Sequence, residues 1–171
     1  MQNLLENKQN IQETAYKNCA VRTINMELDT ILKLRENLDA SLTDALDIIQ
    51  NAKGRIVITG MGKSGHIGKK IAASLASTGT PAFFVHPAEA SHGDLGMIAD
   101  TDVVIAISNS GESRELIDIL NYCKRFGIKL ISITKNALSS LGKAGDIVLK
   151  LPDNGEACPL GLAPTSSTTA T

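Results

Sequence analysis

The spacing of apolar residues predicts helices in the first third of the chain. Between residues 1 and 52, apolar side chains recur at intervals of three and four, the period of one helical face. This set comprises Ile24, Leu28, Ile31, Leu32, Leu34, Leu38, Leu42, Ala45, Leu46 and Ile49. We predict one or two long helices, with Gly54 ending the last one. We assign residues 1–53 to N-terminal helices that pack on the following domain and between subunits.

From residue 55 the pattern changes to an alternation of strands and helices. Short apolar runs predict five strands, at 55–59, 81–86, 102–108, 129–134 and 146–151. The intervening segments predict helices at 64–78, 112–126 and 137–144, the second closed by Gly127. This alternation is typical of a parallel sheet with helices on both faces. We therefore predict an α/β fold for residues 54–171: a three-layer αβα sandwich with a five-stranded parallel sheet.

Composition excludes several kinds of partner. The formal charge is −1 and aromatic residues make up 3% of the chain, so neither a basic stripe nor a stacking surface for nucleic acid is expected. No apolar run approaches the roughly 20 residues of a membrane span. Because the first residues lack the basic and apolar regions of a secretory signal, we expect a cytoplasmic protein. Cys19, Cys123 and Cys158 lack C-x-x-C spacing, which argues against a disulfide scaffold and a structural zinc site.

The turn after the first predicted strand, residues 60–66 (G-M-G-K-S-G-H), has three interpretations. A P-loop would require a glycine where Val57 stands. The three glycines satisfy the dinucleotide pattern G-x-G-x-x-G, but the next strand ends at His86, and Glu89 comes late for the acidic residue that this pattern expects. The third interpretation is the phosphate-side turn of a sugar-phosphate enzyme, at a helix N-terminus.

A second turn, rich in hydroxyl groups, favours the sugar-phosphate interpretation. Residues 108–113 (S-N-S-G-E-S) follow the third predicted strand and precede a helix. One serine would suffice to cap that helix, whereas three serines and a glycine form a cradle for an oxyanion. Both turns follow the carboxyl ends of parallel strands, where ligands of such sheets bind. We therefore predict a small phosphorylated ligand, bound without a metal.

Four segments together closely resemble the SIS (sugar isomerase) domain, and more narrowly D-arabinose 5-phosphate isomerases. They are residues 60–66, 86–96 (H-P-A-E-A-S-H-G-D-L-G), 107–113 and 156–171. The resemblance implies interconversion of D-ribulose 5-phosphate and D-arabinose 5-phosphate through a cis-enediol, the first step towards Kdo, a lipopolysaccharide sugar. It also implies a homotetramer with no cofactor, whose sites draw residues from neighbouring subunits. Related SIS domains in transcriptional regulators bind ligand without turnover, so a regulatory sugar-phosphate-binding domain is the alternative.

The usual family member continues past the position of residue 171. It completes a last SIS helix that carries a further histidine, and then adds a tandem CBS-domain pair. In this chain Pro164 and the hydroxyl residues after it indicate a helix start. We therefore expect a truncated domain whose activity is in doubt.

The resemblance and the two turns together define a candidate site. Phosphate binding is assigned to Ser64, Ser108, Asn109, Ser110 and Ser113, with Ser166 and Ser167 as further donors. Lys63 would stabilise the charge of the enediolate or of the phosphate; a solvated surface lysine is the alternative. No metal is expected, although His92 could bind zinc adventitiously.

Three residues are candidates for the proton chemistry. Glu156 is our first choice of base, because desolvation would raise its pKa towards neutrality. Glu115 is the second choice, although it could simply compensate a helix dipole. His92 would open the sugar ring or relay a proton between oxygens, unless it is a capping or core histidine. We expect Glu112 only to complement a helix terminus and His86 to be structural, and leave His66 unassigned.

Overall fold

The N-terminal third forms two helices, as its apolar spacing predicts. The computed structural model describes the backbone of residues 2–171 and the side chains of residues 12–171. Helix α1 spans Gln2–Glu36 and α2 spans Ala40–Gln50. The carboxylate of Asp39 accepts a 2.9 Å hydrogen bond from the Ser41 N–H and so caps α2.

Gly54 does not end the second helix, contrary to prediction. Helix α2 ends at Gln50, with Asn51 as its C-cap. Gly54 instead lies against the start of the third strand, where its N–H donates to the Thr101 carbonyl at 2.9 Å. A Cβ at this position would lie 2.4 Å from Oδ1 of Asp102. The glycine is therefore required for close packing rather than for a helix cap.

The five predicted strands form one parallel sheet, which confirms the fold class. They are β1 Ile56–Gly60, β2 Ala82–Val85, β3 Val103–Ile107, β4 Lys129–Thr134 and β5 Ile147–Lys150. Their spatial order is β2-β1-β3-β4-β5, with every neighbouring pair parallel. Strand β2 lies on one side of β1, and β3, β4 and β5 follow on the other side. The topological switch point of the sheet therefore lies between β1 and β3.

Helices cover both faces of the sheet. The remaining helices are α3 Gly62–Ser77, α4 Pro87–Ala90, α5 Ile117–Phe126, α6 Ser140–Ala144 and α7 Ser166–Ala170. On one face the side chains of Val57 and Val104 pack with Leu116 and Ile119. On the other, Ile56 and Ile58 pack with Ala45 and Ala72. The two buried layers fix the strand ends and hence the turns that follow them.

The helix predicted at 112–126 begins later than expected. A 3₁₀ turn, Arg114–Leu116, precedes α5, so the serine run lies in a loop rather than in the first turn of an α-helix. Gly127, at φ 67°, ends α5 as predicted. Helix α4 and a 3₁₀ turn at Asp94–Met97 follow β2, and the apolar pattern did not predict either.

Candidate active site

The glycine turn after β1 places Lys63 and Ser64 in the first turn of α3. Helix α3 packs so closely on the end of β1 that a Cβ on Gly65 would lie 2.5 Å from the Gly60 carbonyl oxygen. Lys63 is exposed and Ser64 is half-buried. The turn therefore delivers one ammonium group and one hydroxyl group to the carboxyl edge of the sheet.

The loop after β3 is held in shape by its own hydroxyl groups. Oγ of Ser108 accepts a 3.1 Å hydrogen bond from the Gly111 N–H and lies 2.9 Å from Oγ of Ser113. Oγ of Ser110 accepts a 3.2 Å hydrogen bond from the Glu112 N–H. Gly111 has φ 73°, and a Cβ there would lie 1.9 Å from Oγ of Ser139. Ser108 is buried and stabilises the loop through these hydrogen bonds, whereas Ser110 is exposed.

These two turns and the start of α7 enclose a cleft of about 320 Å³. It is lined by seven residues that the sequence predicts for the site: Lys63, Ser64, Ser108, Asn109, Ser110, Ser113 and Ser167. Met61, Pro164, Thr168 and Thr171 complete its lining. The two threonines were not predicted; the uninterrupted hydroxyl run of residues 165–169 was a signal for Thr168, whereas Thr171 lies outside it. Hydroxyl, amide and ammonium groups dominate this lining, which suits a phosphate group.

Ser166 does not line this cleft. Ser166 is 1% exposed and lines a second cavity of about 70 Å³. This cavity lies between α1, the loop after β5 and α7, and Thr30, Lys135, Asn154 and Glu156 also line it. Among the residues described, Oγ of Ser166 has no hydrogen-bond partner.

Glu156 binds the N-terminus of α7. Its Oε2 accepts hydrogen bonds from the Thr165 N–H at 2.6 Å, the Thr165 hydroxyl at 3.0 Å and the Ser167 N–H at 3.3 Å. Burial raises the pKa of Glu156, but these hydrogen bonds outweigh it and leave the pKa below its ordinary value. The expectation of a raised pKa was therefore wrong, because the short helix supplies donors that the sequence pattern did not reveal.

Helix α1 holds the loop that carries Glu156. Nη2 of Arg22 donates a 2.8 Å hydrogen bond to the Ala157 carbonyl. The buried hydroxyl of Thr30 accepts from Nδ2 of Asn154 at 3.0 Å, and Lys33 donates to Oδ1 of Asn154. The N-terminal helices therefore pack on the domain next to the candidate site.

The structure does not bring Glu115 or His92 into the cleft, and Glu156 lines the second cavity and not the cleft. Glu115 is exposed on the 3₁₀ turn before α5. His92 is exposed in the turn after α4, where its backbone N–H donates to the Glu89 carbonyl at 2.9 Å. Their predicted catalytic roles therefore stay predictions.

The remaining acid and base groups, Glu112, His86 and His66, do not line the cleft. Glu112 accepts hydrogen bonds from the N–H and hydroxyl of Ser140 at 2.9 and 2.7 Å, which lower its pKa. It therefore caps α6, not its own helix. His86 packs edge-on against Phe84, with ring centroids 6.4 Å apart. His66 is exposed on α3.

Metal-ligating and thiol groups are dispersed. Within the described part of the chain, no group of three or more His, Cys, Asp or Glu side chains could hold a metal ion. Cys19, Cys123 and Cys158 are free thiols. Burial raises the pKa of Cys123 to about 12, and backbone N–H groups of residues 160–163 lower that of Cys158. None of the helices, over the residues described, is long and apolar enough to cross a membrane.

Comparison with known proteins identifies the family. The sequence profile of the SIS domain matches residues 48–171. This chain belongs to the SIS domain family. The match covers the sheet, both phosphate-type turns and α7, and so confirms the resemblance drawn from the four sequence segments.

Similar SIS proteins include named isomerases. The chain is 54% identical over 160 residues to arabinose 5-phosphate isomerase KdsD of Pseudomonas aeruginosa, covering 94% of this chain and 49% of the relative. It is 54% identical over 164 residues to the KdsD of Francisella tularensis, covering 94% and 50%. The solved structure of E. coli CFT073 c3406 in complex with arabinose 5-phosphate superposes with a TM-score of 0.87 at 42% identity, covering 92% of this chain and 84% of that one. The chain thus spans about half the length of the curated relatives it matches.

Proposed function

We propose that this SIS domain binds a pentose 5-phosphate and interconverts D-ribulose 5-phosphate and D-arabinose 5-phosphate. The observation that carries the proposal is the cleft, in which two turns from neighbouring strands and the start of α7 present hydroxyl groups and Lys63. Relatives named arabinose 5-phosphate isomerase support the substrate class, as does a solved neighbour in complex with arabinose 5-phosphate.

The phosphate end of the substrate is assigned to the hydroxyl groups of the cleft. Ser110, Ser113 and Ser167 line it from the loop after β3 and from α7, and Ser64 lines it from α3. The Ser110 hydroxyl can donate to a phosphate oxygen while its own oxygen accepts from the Glu112 N–H. Lys63 supplies one positive charge against the phosphate or the developing enediolate.

The proposed chemistry moves one proton between neighbouring carbons. A carboxylate takes a proton from C1 of the ketose while the C2 carbonyl oxygen takes up a proton, which gives the enediol. The carboxylic acid then returns a proton to C2 while the C1 hydroxyl loses its proton and becomes the aldehyde, so the proton gained at the C2 oxygen is balanced by the one lost at the C1 oxygen. Glu156 is the proposed base. The hydrogen bonds that lower its pKa keep it in the carboxylate form, which accepts a proton, but they also make it a weaker base than expected from the sequence. Glu115 is the second candidate for this role.

A second copy of the chain is proposed to complete the site. Glu115 and His92 line neither the cleft nor the second cavity of their own chain, whereas Glu156 lines the second cavity. In the proposed site Glu115 and His92 therefore act on the cleft of a neighbouring subunit. Val21, Ile24, Leu28 and Ile31 on α1 are exposed at intervals of three and four. We propose that this stripe packs between subunits of a homotetramer. Leu28→Glu should then reduce the oligomer mass in sedimentation equilibrium, and an unchanged mass would contradict this packing.

The test of the proposal separates binding from turnover. D-Ribulose 5-phosphate is incubated with this chain and with a version extended beyond residue 171, and ³¹P NMR follows the appearance of D-arabinose 5-phosphate. We expect conversion that Glu156→Gln abolishes. If D-arabinose 5-phosphate binds but neither chain converts it, the regulatory binding domain replaces the isomerase.

A further inference from the structure

The starting observation is that helix α1 contacts the chain on both sides of Glu156. Nη2 of Arg22 donates a 2.8 Å hydrogen bond to the carbonyl of Ala157, the residue after Glu156. Nδ2 of Asn154, two residues before Glu156, donates to Oγ1 of Thr30 at 3.0 Å. These contacts join residues 135 and 124 positions apart in the chain. The N-terminal helix therefore fixes the backbone of the loop at two points.

The backbone of Ala157 is held between two helices. Its N–H donates to Oγ1 of Thr165, the residue before α7, at 2.8 Å, and its carbonyl accepts from Arg22 of α1. Ala157 is 2% exposed. The carbonyl of so buried a residue needs a hydrogen-bond partner, and a guanidinium is a stronger donor than a neutral group. Removal of the guanidinium would therefore free the α1 side of this peptide.

The same loop is linked to the Glu156 carboxylate through Thr165. The Thr165 hydroxyl accepts the Ala157 N–H, and the Thr165 N–H donates to Oε2 of Glu156 at 2.6 Å. A shift of the Ala157 backbone would therefore change the distance between the carboxylate and its donors at the start of α7. Proton transfer depends steeply on such distances, because a misplacement of about 1 Å can slow a reaction about 100-fold.

We propose that Arg22 is a positioning residue, whose hydrogen bond to the Ala157 carbonyl holds the Glu156 carboxylate in place for proton transfer. The inference rests on the proposed function, in which Glu156 is the base. It gives helix α1 a part in the reaction in addition to its proposed packing between subunits. The sequence pattern does not single out Arg22, because its partner lies 135 positions away.

Steady-state kinetics with D-ribulose 5-phosphate test the role of Arg22 in the reaction. Arg22→Met, which keeps the aliphatic stem and removes the donors, should lower kcat about tenfold. KM should stay within about twofold, as should the dissociation constant of D-arabinitol 5-phosphate, an open chain that cannot isomerise, because the phosphate cleft is unchanged. Arg22→Lys, which retains a charged donor, should keep kcat within about threefold of wild type.

Arg35→Met is the matched control for the lost charge. Arg35 lies in the last turn of the same helix, and among the residues described it makes no hydrogen bond with the loop that carries Glu156. This variant should leave kcat and KM unchanged. An equal fall of kcat in Arg35→Met and Arg22→Met would assign the effect to the charge of α1 and would overturn the positioning role.

Amide hydrogen exchange reports on the position of the carboxylate without turnover. The Thr165 N–H is bonded to Glu156, so Arg22→Met should speed its exchange about tenfold. Exchange of the amides in the buried strand β3 should stay within about twofold, because the fold itself is retained.

Each contrary result has a distinct meaning. Equal acceleration at Thr165 and in β3 would make Arg22 only a stabiliser of the fold, and a raised KM with unchanged kcat would make it a contributor to binding; both overturn the inference. Unchanged exchange at Thr165 overturns it as well. If neither this chain nor its extended version converts D-ribulose 5-phosphate, the proposed function fails, whereas selective acceleration at Thr165 would still show that Arg22 positions Glu156.

Discussion

The backbone N–H of Thr165 donates a 2.6 Å hydrogen bond to Oε2 of Glu156. This bond joins the loop after β5 to the hydroxyl-rich segment that closes the cleft. The same carboxylate oxygen accepts from the Thr165 hydroxyl and the Ser167 N–H, so one group both caps α7 and faces the second cavity. The proposed base is therefore fixed in position by the helix that lines the phosphate cleft.

Glu156→Gln separates the capping of α7 from the proposed function as a base. The amide oxygen of glutamine can still accept the Thr165 N–H, while the negative charge and the basic oxygen are lost. We expect turnover of D-ribulose 5-phosphate to fall at least about 100-fold, while the dissociation constant for D-arabinitol 5-phosphate changes less than about tenfold. Turnover close to that of wild type would remove Glu156 as the base and leave Glu115 as the candidate.

Ser110→Ala tests the serine loop. The Ser110 side chain is exposed, lines the cleft and uses its oxygen to accept from the Glu112 N–H. Removing it should raise KM about tenfold, the effect of one hydrogen bond to a charged ligand. Ser77→Ala, which removes an exposed hydroxyl on α3 that donates to the Ser74 carbonyl, is the control and should leave KM unchanged. An unaltered KM in Ser110→Ala would exclude this loop from phosphate recognition.

Gly111→Ala should distort the serine loop and lower the free energy of unfolding. Gly111 and Gly127 have similar positive φ angles, 73° and 67°. A Cβ on Gly111 would lie 1.9 Å from Oγ of Ser139, whereas one on Gly127 meets nothing within 4 Å. We expect Gly127→Ala to lower the free energy of unfolding by about 1 kcal/mol and Gly111→Ala by at least about 2 kcal/mol more. Urea denaturation measures both, and equal losses would show that the loop tolerates the clash.

Asp102→Asn should destabilise the fold in a pH-dependent way. Asp102 is buried, and it accepts the N–H groups of Arg55 at 2.7 Å and Ala99 at 2.9 Å, with the Arg55 guanidinium at 3.0 Å. Burial raises the pKa of this carboxyl, but the hydrogen bonds and the guanidinium together lower it below its ordinary value. The carboxylate therefore stabilises the fold above the unfolded-state pKa of about 3.9, and this contribution is lost as pH falls through the folded-state pKa.

Denaturant unfolding at several pH values measures this contribution. At pH 7 we expect Asp102→Asn to reduce the free energy of unfolding by about 2–3 kcal/mol, with the difference from wild type shrinking below about pH 4. Asp153→Asn, which breaks the exposed pair with Lys135, is the control and should cost less than about 1 kcal/mol. A difference for Asp102→Asn that stays constant down to about pH 2 would contradict the lowered pKa of Asp102.

The sequence predicted the features that depend on local pattern. Apolar runs located the strands, the predicted bounds of β4 match the structure, and Gly127 ends α5 as expected. The serine run and the glycine turn came together because the carboxyl ends of parallel strands meet at one edge of a sheet.

Features that depend on distant contacts were not predictable in this way. Glu112 finds its partner Ser140 28 positions away, and Gly54 is required by the approach of Asp102. Ser166 and Ser167 are adjacent, but side chains on a helix turn about 100° per residue. Ser167 lines both the cleft and the second cavity, whereas Ser166 lines the second cavity and not the cleft. The sequence shows the hydroxyl groups, and only the packing of α7 shows which one faces the phosphate cleft.

The central claim is that this SIS domain presents a pentose 5-phosphate to a carboxylate that moves a proton between C1 and C2. Incubating D-ribulose 5-phosphate with the protein in D₂O and recording ¹H and ²H NMR tests it most directly. We predict D-arabinose 5-phosphate that carries solvent deuterium at C2, with neither conversion nor deuterium in Glu156→Gln. Failure of both this chain and its extended version to form D-arabinose 5-phosphate, or equal deuterium incorporation by Glu156→Gln, would contradict the account.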